Sequence, residues 1–358
     1  MQTDKVENMT ATNTVIAVVI PCHRVKQHIV GVIDAIGPEV RHIFVIDDKC
    51  PENSGRFIQE NTADSRVKVL CHGVNKGVGG AVVSGYRAAM AAGADIVVKI
   101  DGDGQMDPRL IPYFVAPLVH GEADYCKGNR FQTVYGFRQM PRYRIFGNAV
   151  LSFMTKLSSG YWSIFDPTNG YTAIHTAALR ALKLEQLSER YFFESDLLIA
   201  LGAIRAVVVD VPMEAVYGEE TSGLKIRRIV FEFLGKHLYA LARRIVYFYY
   251  LRDFNLASLN LLLGLPMTVF GVAFGAAHWW HSISTGAVAS TGTVMIAVLP
   301  IVLGFQMILF FLGFDISNEP IHPLSRRQVF AGTGTATPAA SGLEDKPRAL
   351  ARNDASIR

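Results

Sequence analysis

Two carboxylates and an amide follow one short apolar segment, and together they could bind a hard divalent cation. Residues 96–100 are rich in β-branched side chains, which is typical of a buried parallel strand. Asp101, Asp103 and Gln105 follow at alternate positions. Mg²⁺ and Mn²⁺ prefer oxygen ligands, often one or two carboxylates completed by substrate phosphate. An extended strand end would turn all three side chains one way, so the pattern predicts a metal site here, against the alternative of a solvated acidic turn.

Alternating strand and helix patterns surround this segment and would place it at one edge of a sheet. Residues 15–20, 42–46 and 67–71 are short apolar segments typical of buried strands, separated by helical spacing of apolar residues. A glycine-rich turn at 73–80 leads into an alanine-rich helix. The alternation predicts an α/β fold with a Rossmann-like, mostly parallel sheet, whose ligands bind beyond the carboxyl ends of its strands. The glycine turn does not follow the first strand as Gly-x-Gly-x-x-Gly, so a dinucleotide-binding fingerprint is not supported.

Composition limits the classes of partner and compartment. The chain has 358 residues, half of them hydrophobic, and its formal net charge of +4 is small. No block of Lys and Arg resembles a nucleic-acid-binding patch, so nucleic acid is not expected as a partner. The four cysteines are far apart and form no Cys-x-x-Cys pair, which indicates reduced thiols rather than disulfides or a zinc site.

The C-terminal third has the composition of a membrane anchor. Residues 254–314 contain no Asp, Glu, Lys or Arg, and two apolar stretches of roughly 20 residues within them are long enough to cross a bilayer. Before them, residues 225–253 combine apolar side chains at helical spacing with Lys and Arg, which suits an amphipathic interfacial helix on anionic membrane lipids. Cations flank the two stretches and are absent from the linker with Trp279 and Trp280, so the positive-inside rule predicts cytoplasmic termini.

The expected organisation therefore has five parts. A disordered lead precedes an α/β domain, an amphipathic juxtamembrane segment, a pair of transmembrane helices and a tail that is expected to be disordered. In chain order these parts are residues 1–14, 15–224, 225–253, 254–314 and 315–358. We expect a multi-pass protein of the inner (cytoplasmic) membrane, with the α/β domain and both termini in the cytoplasm.

Four motifs resemble, in order and spacing, those of family 2 glycosyltransferases, most closely the dolichyl- or polyprenyl-phosphate sugar transferases. They are Val-Val-Ile-Pro-Cys-His at 18–23, Val-Ile-Asp-Asp at 45–48, Asn-Lys-Gly-Val-Gly-Gly-Ala at 75–81 and Asp-Gly-Asp-Gly-Gln-Met-Asp-Pro at 101–108. The four together are highly specific, whereas each singly is weak. The resemblance, which covers about residues 15–225, implies a glycosyltransferase-A catalytic domain and an inverting hexosyltransferase that depends on Mg²⁺ or Mn²⁺. The implied donor is a UDP- or GDP-linked sugar, and the implied acceptor is undecaprenyl or dolichyl phosphate.

The resemblance also implies roles for residues on the donor side. Asp101, Asp103 and Gln105 would hold the metal ion on the nucleotide diphosphate, with Asp103 as a catalytic residue. The nucleotide-sugar pocket would be formed, together with Asp101, by residues that follow the first strands and lie in the glycine turn: Pro21, Cys22, His23, Asp47, Asp48, Asn75 and Lys76. Many relatives have an Arg where this chain has Tyr217, so Lys225 is the candidate cation for the diphosphate.

On the acceptor side, the resemblance implies a site for a lipid phosphate. Residues 128–131, Gly-Asn-Arg-Phe, resemble the family's Gly-Ser-Arg-Tyr-type segment, whose Arg meets the phosphate. Arg130 would therefore bind the acceptor, with Arg142 or Arg144 from the following loop as a second cation. Asp166 begins a segment that matches the family's Asp-x-x-x-Gly-Phe type at the acceptor side.

The nature of the acceptor decides which catalytic groups are needed. A lipid phosphate is ionised at neutral pH, so it needs cations to position it and no general base. A glycan hydroxyl would instead need a carboxylate to remove its proton, and Asp196 or Glu194 is the candidate. The segment 191–196 resembles the acidic site of family members that glycosylate hydroxyls, so both acceptors remain open.

Two further alternatives differ in function class. A processive polysaccharide synthase shares the fold and the metal motif but has more membrane spans. A catalytically silent membrane scaffold would keep the fold only to bind a partner, and it would not need to retain Asp101, Asp103 and Gln105. Homo-oligomerisation is left open by the sequence.

Overall fold

A seven-stranded sheet forms the centre of the N-terminal domain. This computed structural model describes residues 14–131, 142–214 and 226–326. The strand order is β3-β2-β1-β4-β6-β5-β7. The strands are β1 (Ile16–Cys22), β2 (Val40–Asp47), β3 (Val67–Cys71), β4 (Ile96–Lys99), β5 (Tyr125–Asn129), β6 (Thr172–His175) and β7 (Val208–Pro212).

The sheet is parallel except around one short strand. β1 pairs in parallel with both β2 and β4, and β5 pairs in parallel with β7. β6 lies between β4 and β5 and is antiparallel to both. The prediction of a mostly parallel α/β sheet is confirmed, and the insertion of the antiparallel β6 was not anticipated from the sequence. Its four residues are too few to show a distinctive pattern.

Helices cover both faces of the sheet, which is why its strands are apolar on both sides. The helices of this domain are α1 (Ile29–Asp34), α2 (Ser54–Asn61), α3 (Gly77–Ala91), α4 (Ile111–Val119), α5 (Arg142–Ser159), α6 (Thr176–Ala181) and α7 (Phe193–Ala203). Alternate residues of β1 enter two separate cores: Val18 packs with α1 and α4, whereas Val19 packs with α3 and α7. The sheet is thereby fixed in position, and the carboxyl ends of β1, β2 and β4 meet at one edge.

A basic helix connects this domain to the membrane-length helices. Helix α8 (Ile226–Ile245) continues into a π-helical segment, Val246–Arg252. His237 lies on its buried side, where the imidazole contacts the Ser158 hydroxyl of α5 at 2.9 Å and packs against the Phe192 ring. Apolar side chains on other sides of α8 are exposed, including Phe231 and Tyr239. These exposed residues agree with the predicted interfacial helix, while His237 shows that the same helix also packs on the α/β domain.

Two long apolar helices follow. α9 (Leu256–Thr285) and α10 (Thr291–Ser317) are each long and apolar enough to cross a membrane, and most of their surface is exposed. They approach closely where glycines face one another: a Cβ on Gly264 would lie 2.9 Å from the Gly304 carbonyl oxygen. Such contacts between small residues are the usual packing of helices in lipid.

The connection between the two long helices is shorter than expected. Trp279 and Trp280, which the sequence placed in the linker, lie on α9 and are exposed. No residue between 277 and 285 stops a helix, and α9 ends only where Gly286 adopts a left-handed conformation at φ 69°. The linker is therefore confined to residues 286–290.

The chain returns to the α/β domain after the second long helix. The expectation of a disordered tail from residue 315 is wrong for residues 315–326, because α10 runs to Ser317 and the following residues pack on the domain. The backbone N–H groups of Leu324 and Ser325 donate to the carboxylate of the fully buried Asp124 at 2.9 and 3.2 Å. A buried carboxylate requires such donors, and the sequence alone does not show where they come from. The expected disordered lead and the rest of the tail lie outside the described residues, except Thr14.

Candidate active site

The acidic motif lies on a turn directly after β4. The expected extended geometry is wrong, because β4 ends at Lys99 and the backbone turns through Gly104, whose φ is +79°. The Asp103 carboxylate accepts a hydrogen bond of 3.0 Å from the Gln105 N–H, which shapes the turn. Asp101, Asp103 and Gln105 are each partly exposed at the carboxyl end of the sheet. The three predicted metal ligands therefore lie on one turn at the carboxyl edge of the sheet, and their assignment as ligands stays a prediction.

The residues present fit a hard cation that is shared with a substrate. The atoms that could ligate the metal are carboxylate and amide oxygens, which suit Mg²⁺ or Mn²⁺. Within the described part of the chain, no group of three or more His, Cys, Asp or Glu side chains could hold a metal ion alone. Opposite Asp101 lies Gly170, where a Cβ would come within 2.4 Å of the Asp101 Oδ2 atom. The absence of a side chain at Gly170 therefore allows the Asp101 carboxylate to take its position at this edge, where substrate phosphate could complete the coordination of a metal ion.

Hydrogen bonds and burial fix several residues of the predicted nucleotide pocket at the ends of β1 and β2. The buried Asp47 carboxylate accepts backbone N–H bonds of 2.7 Å from both Cys50 and Gly55, so it orders the start of α2. Burial, and to a lesser degree the Asp47 charge, raises the pKa of the Cys22 thiol to about 12, so that thiol remains protonated. Pro21 is partly exposed and His23 is exposed at the end of β1. Of the pocket residues at the ends of β1 and β2, Pro21 and His23 therefore present the most surface to a ligand.

Asp48 organises the glycine-rich turn. Its carboxylate accepts N–H bonds from Lys76 at 2.8 Å and Gly77 at 2.7 Å, and its carbonyl accepts a bond of 3.1 Å from the Asn75 amide. The His72 Nδ1 atom lies 2.8 Å from the same carboxylate. Asp48, Asn75 and Lys76 are thus brought together as the motif implied, with the exposed Lys76 side chain beyond them.

On the acceptor side, Arg130 and Asp166 form one ion pair. The Arg130 Nε and Nη2 atoms lie 2.7 and 3.0 Å from the two oxygens of the fully buried Asp166 carboxylate. This fork joins the 128–131 segment to the segment that begins at Asp166. The side chains of Arg142 and Arg144, at the start of α5, lie outside the described residues, as do Tyr217 and Lys225.

The two candidate bases have different surroundings. Asp196 accepts bonds of 2.8 Å from the backbone N–H and from the hydroxyl of Ser188, so it stabilises the loop before α7. Glu194, two residues earlier, lies 3.5 Å from the Lys99 ammonium, beside the acidic motif. Of the two carboxylates, Glu194 is therefore the one next to the predicted donor site.

Two buried lysines lie beneath the site, and sequence reasoning assigned them no role. Lys99 on β4 and Lys127 on β5 both pair in register with Thr172 of β6, so they lie in one row across the sheet. Lys127 donates a bond of 2.6 Å to the Asn169 carbonyl, and burial lowers its pKa to about 8 despite the opposing effect of Glu194. A charged residue inside an apolar strand was the only signal that could have identified either lysine.

Comparison with known proteins agrees with this arrangement. Residues 17–183 match the family described as Glycosyl transferase family 2. The match covers just under half of the chain and identifies these residues as a glycosyltransferase family 2 domain. The matched residues contain the Asp101 turn, the glycine turn and the Arg130–Asp166 pair.

Several curated proteins similar to this chain are named as lipid-phosphate sugar transferases. UDP-N-acetylglucosamine–dolichyl-phosphate N-acetylglucosaminyltransferase of Methanococcus voltae is 29% identical over 218 residues, which cover 57% of this chain and 86% of that protein. Undecaprenyl-phosphate mannosyltransferase of Micrococcus luteus is 28% identical over 179 residues, which cover 49% and 72%. The resemblance to such transferases in the sequence motifs is thereby confirmed.

A solved structure shows the same fold. Glucosyl-3-phosphoglycerate synthase from Mycobacterium tuberculosis, in complex with Mg²⁺ and UDP, superposes with a TM-score of 0.51 at 21% identity, covering 65% of this chain and 82% of that one. The similarity confirms the glycosyltransferase-A fold of the family 2 domain.

Proposed function

We propose that this protein is a membrane-bound, inverting glycosyltransferase that moves a sugar from a UDP- or GDP-linked donor to a polyprenyl phosphate, undecaprenyl or dolichyl, at the cytoplasmic face of the inner membrane. The observation that carries the proposal is the Asp101–Asp103–Gln105 turn at the carboxyl edge of a family 2 domain that is joined to two membrane-length helices. The similar dolichyl- and undecaprenyl-phosphate transferases support the acceptor, and the related synthase structure with Mg²⁺ and UDP supports a divalent cation.

The donor side would work by charge neutralisation. Asp101, Asp103 and Gln105 would hold Mg²⁺ or Mn²⁺, which supplies Lewis-acid stabilisation of the diphosphate as the anomeric bond breaks. Pro21, His23 and the turn that Asp48 organises would bind the nucleotide, with Lys225 as a proposed further cation. These residues would orient the sugar so that the acceptor attacks the anomeric carbon on the side opposite the departing diphosphate. Such a single displacement gives inversion at the anomeric carbon.

The acceptor side would work by positioning. A lipid phosphate is already nucleophilic, so the protein has to bring two anions together and needs no general base. Arg130, which Asp166 holds in place, would bind the acceptor phosphate. Arg142 or Arg144 would supply a second cation for the same phosphate. The exposed apolar residues of α8 would rest on anionic lipids beside the two spans.

A second candidate function is transfer to a glycan hydroxyl. The observation that favours it is the Glu194 carboxylate, which lies beside the acidic motif and could take a hydroxyl proton. A phosphate acceptor makes that role unnecessary.

One experiment tests the main proposal and separates it from the second. Membranes that contain the full chain are incubated with a panel of UDP- and GDP-sugars and with either undecaprenyl phosphate or undecaprenol, and the lipid fraction is assayed for sugar. Chelator-sensitive transfer to the phosphate alone is the expected result. A parallel incubation replaces the lipid with an oligosaccharide acceptor, and transfer only to that oligosaccharide would support the hydroxyl acceptor. The absence of both sugar transfer and donor hydrolysis would support a silent scaffold.

A further inference from the structure

Lys99 connects the predicted metal site to helix α7. Its side chain is only 3% exposed, and its Nζ atom lies 2.8 Å from Asp101 Oδ1 and 3.5 Å from Glu194 Oε1. Lys99 is therefore enclosed by protein, between two carboxylates, and in contact with a predicted metal ligand.

The contact of Lys99 with Asp101 limits how the Asp101 carboxylate can turn. Oδ1 accepts from Lys99, whereas Oδ2 lies close to the buried Gly170. A Cβ on residue 170 would come within 2.4 Å of both Asp101 Oδ2 and Lys99 Nζ, so a larger residue would disturb this contact. Lys99 thus fixes the rotation of the carboxylate, which is still 29% exposed at the carboxyl edge of the sheet.

The surrounding contacts prevent Lys99 from moving. Glu194 holds its ammonium from α7, and the Asp101 carboxylate holds it from the turn after β4. A buried ion pair is weak as a source of stability, since desolvation offsets most of the attraction. The arrangement is better explained by the orientation it gives to Asp101.

We propose that Lys99 is a positioning residue that holds the Asp101 carboxylate in the orientation in which it binds the divalent cation, with Glu194 keeping Lys99 in place. The inference rests on the metal site in the proposed function and adds two residues to it. Residues that orient metal ligands typically change metal affinity by about 10- to 100-fold when they are removed.

A positioning role and a simple charge effect predict opposite results. Removing a cation 2.8 Å from a ligand carboxylate would strengthen metal binding if Lys99 acted only through its charge. Removing the group that orients Asp101 weakens binding. The sign of the change in metal affinity therefore distinguishes the two.

The test uses the purified full chain in detergent and equilibrium dialysis of Mn²⁺, with UDP and separately with GDP. Lys99→Met leaves Glu194 buried without its partner, so Lys99→Met/Glu194→Gln, which removes both charges, is measured beside it, and thermal unfolding checks that each variant is folded. The matched control is Lys127→Met, which removes an equally buried lysine that contacts Asn169 instead of Asp101.

We expect about 10- to 100-fold weaker Mn²⁺ binding in both Lys99 variants, partial recovery in Lys99→Arg, and unchanged binding in Lys127→Met. Equal or tighter Mn²⁺ binding in the folded double variant would overturn the inference while leaving the metal site intact. If the wild-type chain bound no Mn²⁺ with either nucleotide, the metal assignment in the proposed function would fail and the role of Lys99 with it.

Discussion

The guanidinium of Arg244 on α8 donates two hydrogen bonds of 2.8 Å to the carboxylate of Asp315, near the end of the second long helix. The same carboxylate accepts a bond of 2.9 Å from the Trp162 indole and another from the Tyr249 hydroxyl. A single buried carboxylate thus joins α8, the π-helical segment, the α/β domain and a candidate membrane span.

This junction gives a prediction about stability. Asp315→Ala leaves Arg244 buried without its partner, so we expect the full chain to lose about 3–5 kcal/mol of unfolding free energy in detergent. Replacing both partners, as in Arg244→Met/Asp315→Leu, should recover a large part of that loss. The control is Asp253→Asn, because Arg252 and Asp253 form a 3.6 Å pair whose side chains are 42% and 65% exposed, and such a pair contributes at most about 1 kcal/mol. A loss no larger in Asp315→Ala than in this control would contradict the prediction.

The metal assignment predicts the effect of one carboxylate. Asp103→Asn should reduce transfer by about 100-fold or more, because a hard-cation site supplies several kcal/mol of transition-state stabilisation. The variant should remain folded and membrane-bound. Asp107→Asn is the control in the same loop, since Asp107 pairs with Arg109 at 2.9 Å. Full activity in Asp103→Asn, or in the wild type with excess chelator, would exclude this metal site.

The acceptor predicts a contrast between Arg130 and Asp196. If the acceptor is a polyprenyl phosphate, loss of Arg130 should lower kcat/KM for it by more than about tenfold, while Asp196→Asn reduces the rate only modestly. Because Arg130→Ala would leave Asp166 buried without its partner, Arg130→Ala/Asp166→Asn is measured as well. The reverse pattern, with Asp196→Asn inactive and the Arg130 variants near normal, would identify a glycan hydroxyl as the acceptor.

His237 predicts how stability depends on pH. Burial lowers the pKa of His237 to about 4, so between pH 6.5 and pH 4 the unfolded chain binds more protons at this position than the folded chain does. Stability should therefore fall as pH falls through this window, by up to about 3 kcal/mol, and this contribution should be constant above it. His237→Gln should remove this part of the pH dependence of thermal unfolding, and the exposed His281→Gln should not. An unchanged profile in His237→Gln would disprove the assignment.

Membrane orientation can be tested with the native thiols as a reference. Of the four cysteines, Cys71 is exposed and the other three are buried. In a Cys71→Ser background, Ala287→Cys in the linker should react with an impermeant thiol reagent added to intact cells. Cys71 in the wild type should react only after the cells are opened, because the α/β domain is expected in the cytoplasm. Labelling of Cys71 in intact cells would reverse the proposed topology.

Local sequence patterns predicted the elements that local physics determines. Apolar β-branched segments gave the strands around Val18, Val45 and Val98, and the chemistry of oxygen ligands pointed to Asp101 and Asp103. The same patterns predicted an extended backbone after β4, which is wrong. The turn there depends on the left-handed Gly104 and on the bond between the Gln105 N–H and the Asp103 carboxylate, and periodicity does not show either.

Contacts between distant parts of the chain could not be predicted. In the sequence, Lys99 is only a charged residue within an apolar strand. Its proposed role depends on Glu194, which is 95 residues later in the sequence (194 minus 99) but only 3.5 Å from Lys99 in the fold. The ordered return of residues 315–326 likewise depends on Asp124, whose carboxylate needs donors that come from 200 residues later. Such pairings are set by topology, and composition gives no sign of them.

The return of residues 318–326 to Asp124 also limits rotation. With α8 as its only attachment, the α/β domain would be free to pivot about residues 246–252 relative to the long helices. The second attachment, at Leu324 and Ser325, removes most of that freedom. If the long helices cross a bilayer, the depth at which an acceptor must present itself is then fixed by the fold. A fragment that ends at residue 253 would lose this fixed distance, even if its sheet and acidic turn were intact.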